Sequence, residues 1–332
     1  MKNIKLLWPY DLYQTEWYPK RMNFFTFWAG SSLSPYETVC LMSALNHGHQ
    51  VTIFTYEELK GPLPSGIEYE NAQNIVENST FQRVSSLHGL AAFSDLFRYE
   101  GLTKQAGIWM DTDILFVNSF FPSREYVFGE EINSIVNGAI LGFPPHSELA
   151  LHLLELTRDR LSSERKIKWG DVGPSLLTSS ISQLNLKDFV LEKSVFYPVH
   201  YSEIEQFFDP SLCQTLEENL VNSATVHLWN NVLSGIYPVK EIVPPRNSWL
   251  EKQFNFYGID FEKSVQKSNI HLASIVRHKK AEDLLSLHRQ QRDNAVQERD
   301  KVKLELVRLY RARTLIQLIP RAVISAIKRR LT

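Results

Sequence analysis

The chain has 332 residues, 43% of them hydrophobic and 12% aromatic, with a formal net charge of −1. That length and apolar content suit a globular protein with a substantial core and exclude a disordered chain. No apolar run reaches the roughly 18 residues of a membrane span, the apolar stretch within the N-terminal MKNIKLLWPYDLYQ is too short for a secretory signal, and Cys40 and Cys213 have no zinc spacing and read as core thiols in a reduced cytosol.

The first elements alternate. MNFFTFWAG, residues 22–30, reads as a buried strand, and SPYETVCLMSALNHG, residues 34–48, as a helix. Ser34 is placed to cap that helix, Pro35 to begin it and Gly48 to end it. QVTIFTY, residues 50–56, is a second strand with β-branched alternation. A strand, a helix and a strand at these lengths predict a parallel pair joined by a crossover, hence an α/β fold with a mainly parallel central sheet. A polar loop, EELKGPLPSG, follows. A helix is then predicted from about His88 to Gln105, and it leads directly into GIWMDTDILF, residues 107–116. Beyond it, SIVNGAILGF reads as β, SELALHLLELTRDRL as a helix, WGDVGPSLLTSSISQL as a turn into a helix, and TVHLWN, residues 225–230, as a short late strand. His47 and His49, in HGH, read as a helix end entering a strand and not as a metal pair.

The character changes near His278. Residues 278–313 are highly charged and lack Gly and Pro, which predicts an exposed helix with thin coiled-coil potential that could pair with a second copy. Residues 301–332 carry nine Lys/Arg and one Glu, so the basic charge sits in the tail and the rest of the chain is acidic by balance. Within 314–332, Leu315, Ile316, Ile319, Val323, Ala326 and Ile327 can share one helical face, with Arg321, Lys328, Arg329 and Arg330 outside it or at its end. This pattern predicts an interfacial helix drawn to an anionic membrane surface. The expected location is therefore cytoplasmic, peripheral on the inner face of the cell membrane. No nucleic-acid-binding module is recognisable, so no nucleic-acid partner is expected.

Asp111 and Asp113 interrupt an otherwise buried strand. In a β-like stretch they point to the same side, and Asp111 falls where the strand IWM emerges. Open parallel sheets bind ligands beyond the carboxyl ends of their strands. Two converging carboxylates are poor neighbours until a divalent cation joins them, and oxygen ligands suit Mg²⁺ or Mn²⁺. Such a cation can neutralise a departing diphosphate. One helix earlier, Asp95 and Arg98 stand three apart on one face and could grip sugar hydroxyls. Trp28, at the exit of the first strand, could offer a flat surface to a nucleoside base.

Taken together, FSDLFRYEGLTKQAGIWMDTDILFV resembles the sugar-binding region of glycosyltransferase family 32. That group includes α-1,4-galactosyltransferase-like enzymes, fungal initiating mannosyltransferases and bacterial capsular polysaccharide transferases, and is distantly similar to the clostridial glucosylating toxins. FWAGSSLSPYE and VHLWN look like further landmarks, and the resemblance spans roughly residues 22–245. It implies a GT-A-type nucleotide-sugar-binding domain over residues 1–277, with the helices of 278–313 and 314–332 outside it. It places Trp28 near the base, Asp95 and Arg98 on the donor sugar, Asp113 on the metal and Asp111 near ribose and metal. It places His227, Trp229 and Asn230 near the diphosphate, with His227 a further metal or phosphate contact. Asn137, Gly138 and Asp171 look like acceptor-side positions, Asp171 with a catalytic role. The implied reaction is metal-dependent hexosyl transfer, retaining, from a nucleoside-diphosphate sugar to a glycan or lipid-linked acceptor in surface polysaccharide synthesis. Two alternatives remain open from the residues alone: a haloacid dehalogenase-like phosphotransferase with Asp111 as nucleophile, and a non-catalytic sugar-binding or scaffold protein.

Overall fold

The fold is given by a computed structural model. It describes residues 21–61, 63–104, 107–164, 167–168, 170–236, 243–259 and 299. The chain divides into two compact units, Met1–Val276 and Arg277–Thr332. All described residues but Arg299 lie in the first, so the helices expected over 278–313 and 314–332 fall outside them. Among the described residues, no helix is long and apolar enough to cross a membrane.

In chain order the elements are β1 (Asn23–Trp28), α1 (Pro35–Asn46), β2 (Gln50–Thr55), β3 (Glu68–Asn71), α2 (Asn78–His88), α3 (Leu90–Lys104), β4 (Ile108–Met110), β5 (Ile114–Phe116), β6 (Val127–Glu130) and β7 (Val136–Gly142). There follow α4 (Glu148–Ser162), α5 (Pro174–Gln183), α6 (Lys193–Phe196), α7 (Cys213–Asn219), β8 (Thr225–His227), α8 (Asn230–Ile236) and α9 (Trp249–Phe256), with short 3₁₀ turns between several of them. A six-stranded sheet runs β3-β2-β1-β4-β7-β6, and β5 pairs with β8 separately. The pairs β2·β3, β1·β2 and β1·β4 are parallel, whereas β4·β7 and β6·β7 are antiparallel. The fold is therefore α/β with a mainly parallel central sheet, as expected.

Local signals account for several ends. Ser34 caps α1 in a full capping box: its side chain accepts from Tyr36 N–H, and Glu37 reaches back to the Ser34 N–H at 2.9 Å. Ser147 caps α4 and Ser248 caps α9 in the same way, through their side-chain oxygens. β1 is nearly all apolar because it sits in the middle of the sheet with both faces covered. Phe25 and Phe27 join an aromatic cluster with Phe54, Phe93, Phe97 and Trp109, while Phe24 joins Leu41, Val51, Ile53 and Phe116. Alternation along the strand sends them to opposite faces. A third cluster, of Tyr36, Val39, Val226, Leu228 and Trp249, packs under β5 and β8.

Two expectations need correction. The helix predicted from His88 is the second of a pair: α2 ends at His88, Gly89 takes φ 94°, and α3 starts at Leu90. A left-handed glycine is cheap, so the chain turns there with little strain. The DTDILF stretch is also not one strand. β4 stops at Met110, Asp111–Asp113 form a tight turn closed by the Ile114 N–H on the Asp111 carbonyl at 3.1 Å, and β5 belongs to another sheet. The turn, not strand alternation, brings the carboxylates together.

Candidate active site

β1 and β4 are parallel neighbours, so both end at one sheet edge, Trp28 closing the first and Asp111 following the second. β7 runs opposite to β4 and therefore begins at that same edge. Its residue Ala139 accepts from the Asp111 N–H at 2.8 Å, which sets Asn137 and Gly138 beside the aspartate turn. β8 pairs with β5 so that His227 lies opposite Ile114, and the Leu228 N–H donates to the Asp113 carbonyl at 2.9 Å. The topology thus assembles segments far apart in sequence at one edge, the usual ligand position of such sheets.

There Asp111, Asp113 and His227 each offer a ligand atom, all within 4.8 Å of one another. Asp113 is buried; its Oδ2 faces His227 Nε2 at 3.2 Å and accepts from the Asn230 N–H at 2.9 Å. Burial alone would raise its pKa, but the His227 charge and the hydrogen bonds from His227 and Asn230 outweigh it and hold the carboxyl below its usual range. For His227 burial disfavours the charge, yet Asp113 wins and raises its pKa. His227 Nδ1 is buried with no hydrogen-bond partner among the described residues. Two carboxylates and an imidazole with an orphaned nitrogen fit a divalent cation, whose binding would displace the imidazole's proton.

Beside this trio, α3 delivers a second set. Arg98 is buried and donates to Asp111 Oδ1 at 3.2 Å, with Asp95 Oδ1 at 3.4 Å. Trp109 Nε1 donates to the same Asp111 oxygen at 2.6 Å, and the guanidinium lies 5.1 Å from the Trp109 ring centroid, a cation–π arrangement. Burial pushes the Asp95 carboxyl up to about 6 against the pull of Arg98, with the Asp111 charge adding to the rise. Asp111 is the more open of the two motif carboxylates, its side chain 26% exposed.

Other expected residues are placed as follows. Trp28 is half-buried at the strand end, its Nε1 donating to the Ser32 carbonyl at 3.1 Å. Asn137 is buried; its Nδ2 donates to Glu131 Oε2 at 2.9 Å and its Oδ1 accepts from Ala139 N–H at 2.7 Å. Trp229 takes φ 56°, a strained value for a bulky residue that marks functional turns. Its ring lies over His227 at 3.9 Å and its Nε1 donates to the Val199 carbonyl at 2.9 Å. Asp171 behaves differently. Its carboxylate accepts from Lys168 N–H at 2.8 Å and its carbonyl accepts from Arg160, so it closes the turn before α5. Its described contacts do not bring it to the cluster.

Sequence reasoning missed several neighbours. Glu131 faces His200 Nε2 at 3.5 Å as well as Asn137. Tyr197 hydroxyl accepts from Ile140 N–H at 2.9 Å under the site. Tyr201, 46% exposed, leans on His200 and Trp229. None belongs to a local motif, so no signal in the sequence singled them out. Trp109 was detectable, two residues before Asp111 on the strand that leads into the aspartate turn.

The fold is an α/β sheet with a candidate cation trio at its edge, and comparison with known proteins adds what such a chain resembles. The model of the alpha 1,4-glycosyltransferase conserved region matches residues 156–243. Lactosylceramide 4-alpha-galactosyltransferase of Rattus norvegicus is 28% identical over 160 residues, 45% of this chain and 43% of that protein. Alpha-1,4-N-acetylglucosaminyltransferase of Homo sapiens is 27% identical over 152 residues, 42% of each. The chain thus spans less than half the length of these two curated relatives. Among solved structures, PaToxG glycosyltransferase aligns with 51% of this chain and 71% of its own at 14% identity, with a TM-score of 0.38. The family-model match and the two curated relatives support a glycosyltransferase of the family 32-like group. They favour it over the phosphotransferase alternative.

Proposed function

We propose that the chain is a metal-dependent glycosyltransferase. It moves a hexose from a nucleoside-diphosphate sugar, a uridine diphosphate sugar by preference, to a hydroxyl of a glycan or lipid-linked acceptor, retaining the anomeric configuration. The observation that carries this reading is the convergence of Asp111, Asp113 and His227 beside the buried Arg98–Asp95 pair. The rat relative, named as a galactosyltransferase acting on lactosylceramide, supports a lipid-linked acceptor.

In this reading Asp111, Asp113 and His227 hold Mn²⁺ or Mg²⁺, which when bound supplies charge neutralisation for a diphosphate. The imidazole in the set favours Mn²⁺, since Mg²⁺ prefers oxygen ligands. Arg98 and Asp95 bind sugar hydroxyls as donor and acceptor. Trp28 offers its face to the base, and Trp229 and Asn230 line the diphosphate side. Asp95 lies against Arg98 and, among the described residues, no other side chain at the site is set apart as a nucleophile, which favours departure and attack on one face of the sugar, with a diphosphate oxygen taking the acceptor proton. The protein then contributes positioning and preorganised charge.

The experiment is a panel of nucleotide sugars with Mn²⁺, reading released nucleoside diphosphate. Slow hydrolysis of one donor is expected and names the sugar; no release from any donor, with or without glycan acceptors, overturns the reading. The basic amphipathic tail over 314–332 is proposed to hold the enzyme on an anionic membrane surface during surface polysaccharide synthesis. Deleting it should abolish flotation with anionic liposomes, and unchanged flotation would remove the anchor.

A further inference from the structure

Glu37 lies in α1, 76 residues before Asp113 and fully buried. A capping-box glutamate ordinarily serves only its own helix end and stays near solvent. Here one oxygen does that: Oε2 accepts from the Ser34 N–H at 2.9 Å. The other leaves the helix: Oε1 accepts from Asn230 Nδ2 at 2.9 Å. The backbone N–H of that same Asn230 donates to Asp113 Oδ2 at 2.9 Å. A continuous path therefore runs from the start of α1 to a candidate metal ligand.

The chemistry of Glu37 also orients the Asn230 amide. Both carboxylate oxygens accept, so the amide nitrogen must face Glu37 and the amide oxygen must face away. That oxygen is buried and has no hydrogen-bond partner among the described residues. Asn230 follows Trp229, whose left-handed backbone turns the chain sharply as it leaves β8. A strained turn needs outside contacts to persist, and Glu37 supplies one of them.

We propose that Glu37 is a positioning residue for the transfer site: by holding the Asn230 side chain it fixes the N–H that orients Asp113 and keeps the Asn230 carbonyl oxygen directed to ligand. This rests on the metal-binding reading given above. It assigns α1 a role beyond packing, because the helix start and the metal-side turn then share one buried carboxylate.

The test compares Glu37→Gln, Glu37→Ala, Asn230→Ala and, as a control, Ser34→Ala in the full chain. Three quantities are read: hydrogen exchange of the residue 230 backbone amide in metal-free protein, affinity for Mn²⁺ alone, and melting temperature. Glutamine still completes a capping box, so Glu37→Gln should melt near wild type. It should nevertheless expose the residue 230 amide to faster exchange and weaken Mn²⁺ binding by about 10- to 100-fold, the usual effect of losing a partner that orients a metal ligand. Glu37→Ala and Asn230→Ala should behave alike at the amide. Ser34→Ala should lower the melting temperature without altering Mn²⁺ affinity. Wild-type exchange and affinity in the Glu37 and Asn230 variants would overturn the proposal, as would an equal loss of affinity in Ser34→Ala. If wild-type protein binds no Mn²⁺, the metal reading fails, and the exchange of the residue 230 amide alone decides whether Glu37 holds the turn.

Discussion

At Gly138 even a methyl side chain would place its carbon 2.6 Å from Arg98 Nη1, and at Gly173 2.7 Å from Asp95 Oδ2. Both glycines therefore leave room for the ion pair, which is buried and tied to Asp111, so it cannot swing away freely. Gly138→Ala should displace Arg98 and raise the KM for donor at least about tenfold, the scale of a misplaced positioning group, while the protein still folds; an unchanged KM would show that Arg98 does not touch donor. Asp113 is the more decisive position. Asp113→Ala should reduce turnover by at least about 100-fold, as loss of one preorganised electrostatic group does, and near-normal turnover of that variant in excess Mn²⁺ would refute its role. At this scale the sequence was informative where motif residues act as neighbours: Asp95, Arg98, Asp111 and Asp113 were all legible. Glu37 and Glu131 were not, because each acts through a partner remote in the chain. Asp171, expected in the catalytic set, has its carboxylate on the Lys168 N–H in the turn before α5.

The α1–β2 connection shows how an element end can carry a pH response. His47 ends α1, Gly48 takes φ 87°, and His49 turns into the core against Phe24, Phe116 and Phe121. His49 Nδ1 accepts from the Met22 N–H at 3.4 Å, and its Nε2 is buried without a partner among the described residues. Burial, with the neighbouring His47 charge, lowers the His49 pKa from 6.5 to about 4. Between those values the unfolded chain binds the proton and the folded one does not, so stability falls as pH drops from about 6.5 to about 4. His49→Phe should flatten that acid limb in denaturant unfolding; an unaltered limb would assign it to other groups. This reading of HGH as a helix end was legible, since glycine and histidine at a periodic segment's close signal a stop. α2 was not read, because its polar sequence buries only Val84 and His88.

Among the described residues, three apolar clusters surround the sheets, and Asp111, Asp113 and His227 lie where strand ends meet. The core does not depend on a cation, so chelation should leave the protein folded. Binding still adds stability by mass action, about 2.7 kcal/mol at a hundredfold excess over the dissociation constant. Saturating Mn²⁺ should therefore raise the melting temperature by several degrees and chelator should reverse it; no shift would argue that the trio binds no metal. By itself the sequence determined the alternation of strands and helices, the cap of α1, and the aspartate pair. These rest on local periodicity and on residue chemistry, which need no partner. Only the tertiary structure decided that β7 runs antiparallel to β4, that the aspartates sit in a turn between two sheets, and that His227 and Asn230 close on Asp113. The closure on Asp113 joins segments more than a hundred residues apart, the strand pairing joins residues 109 and 141, and such non-local pairing is set by which faces can be buried together, a property no local window of sequence contains.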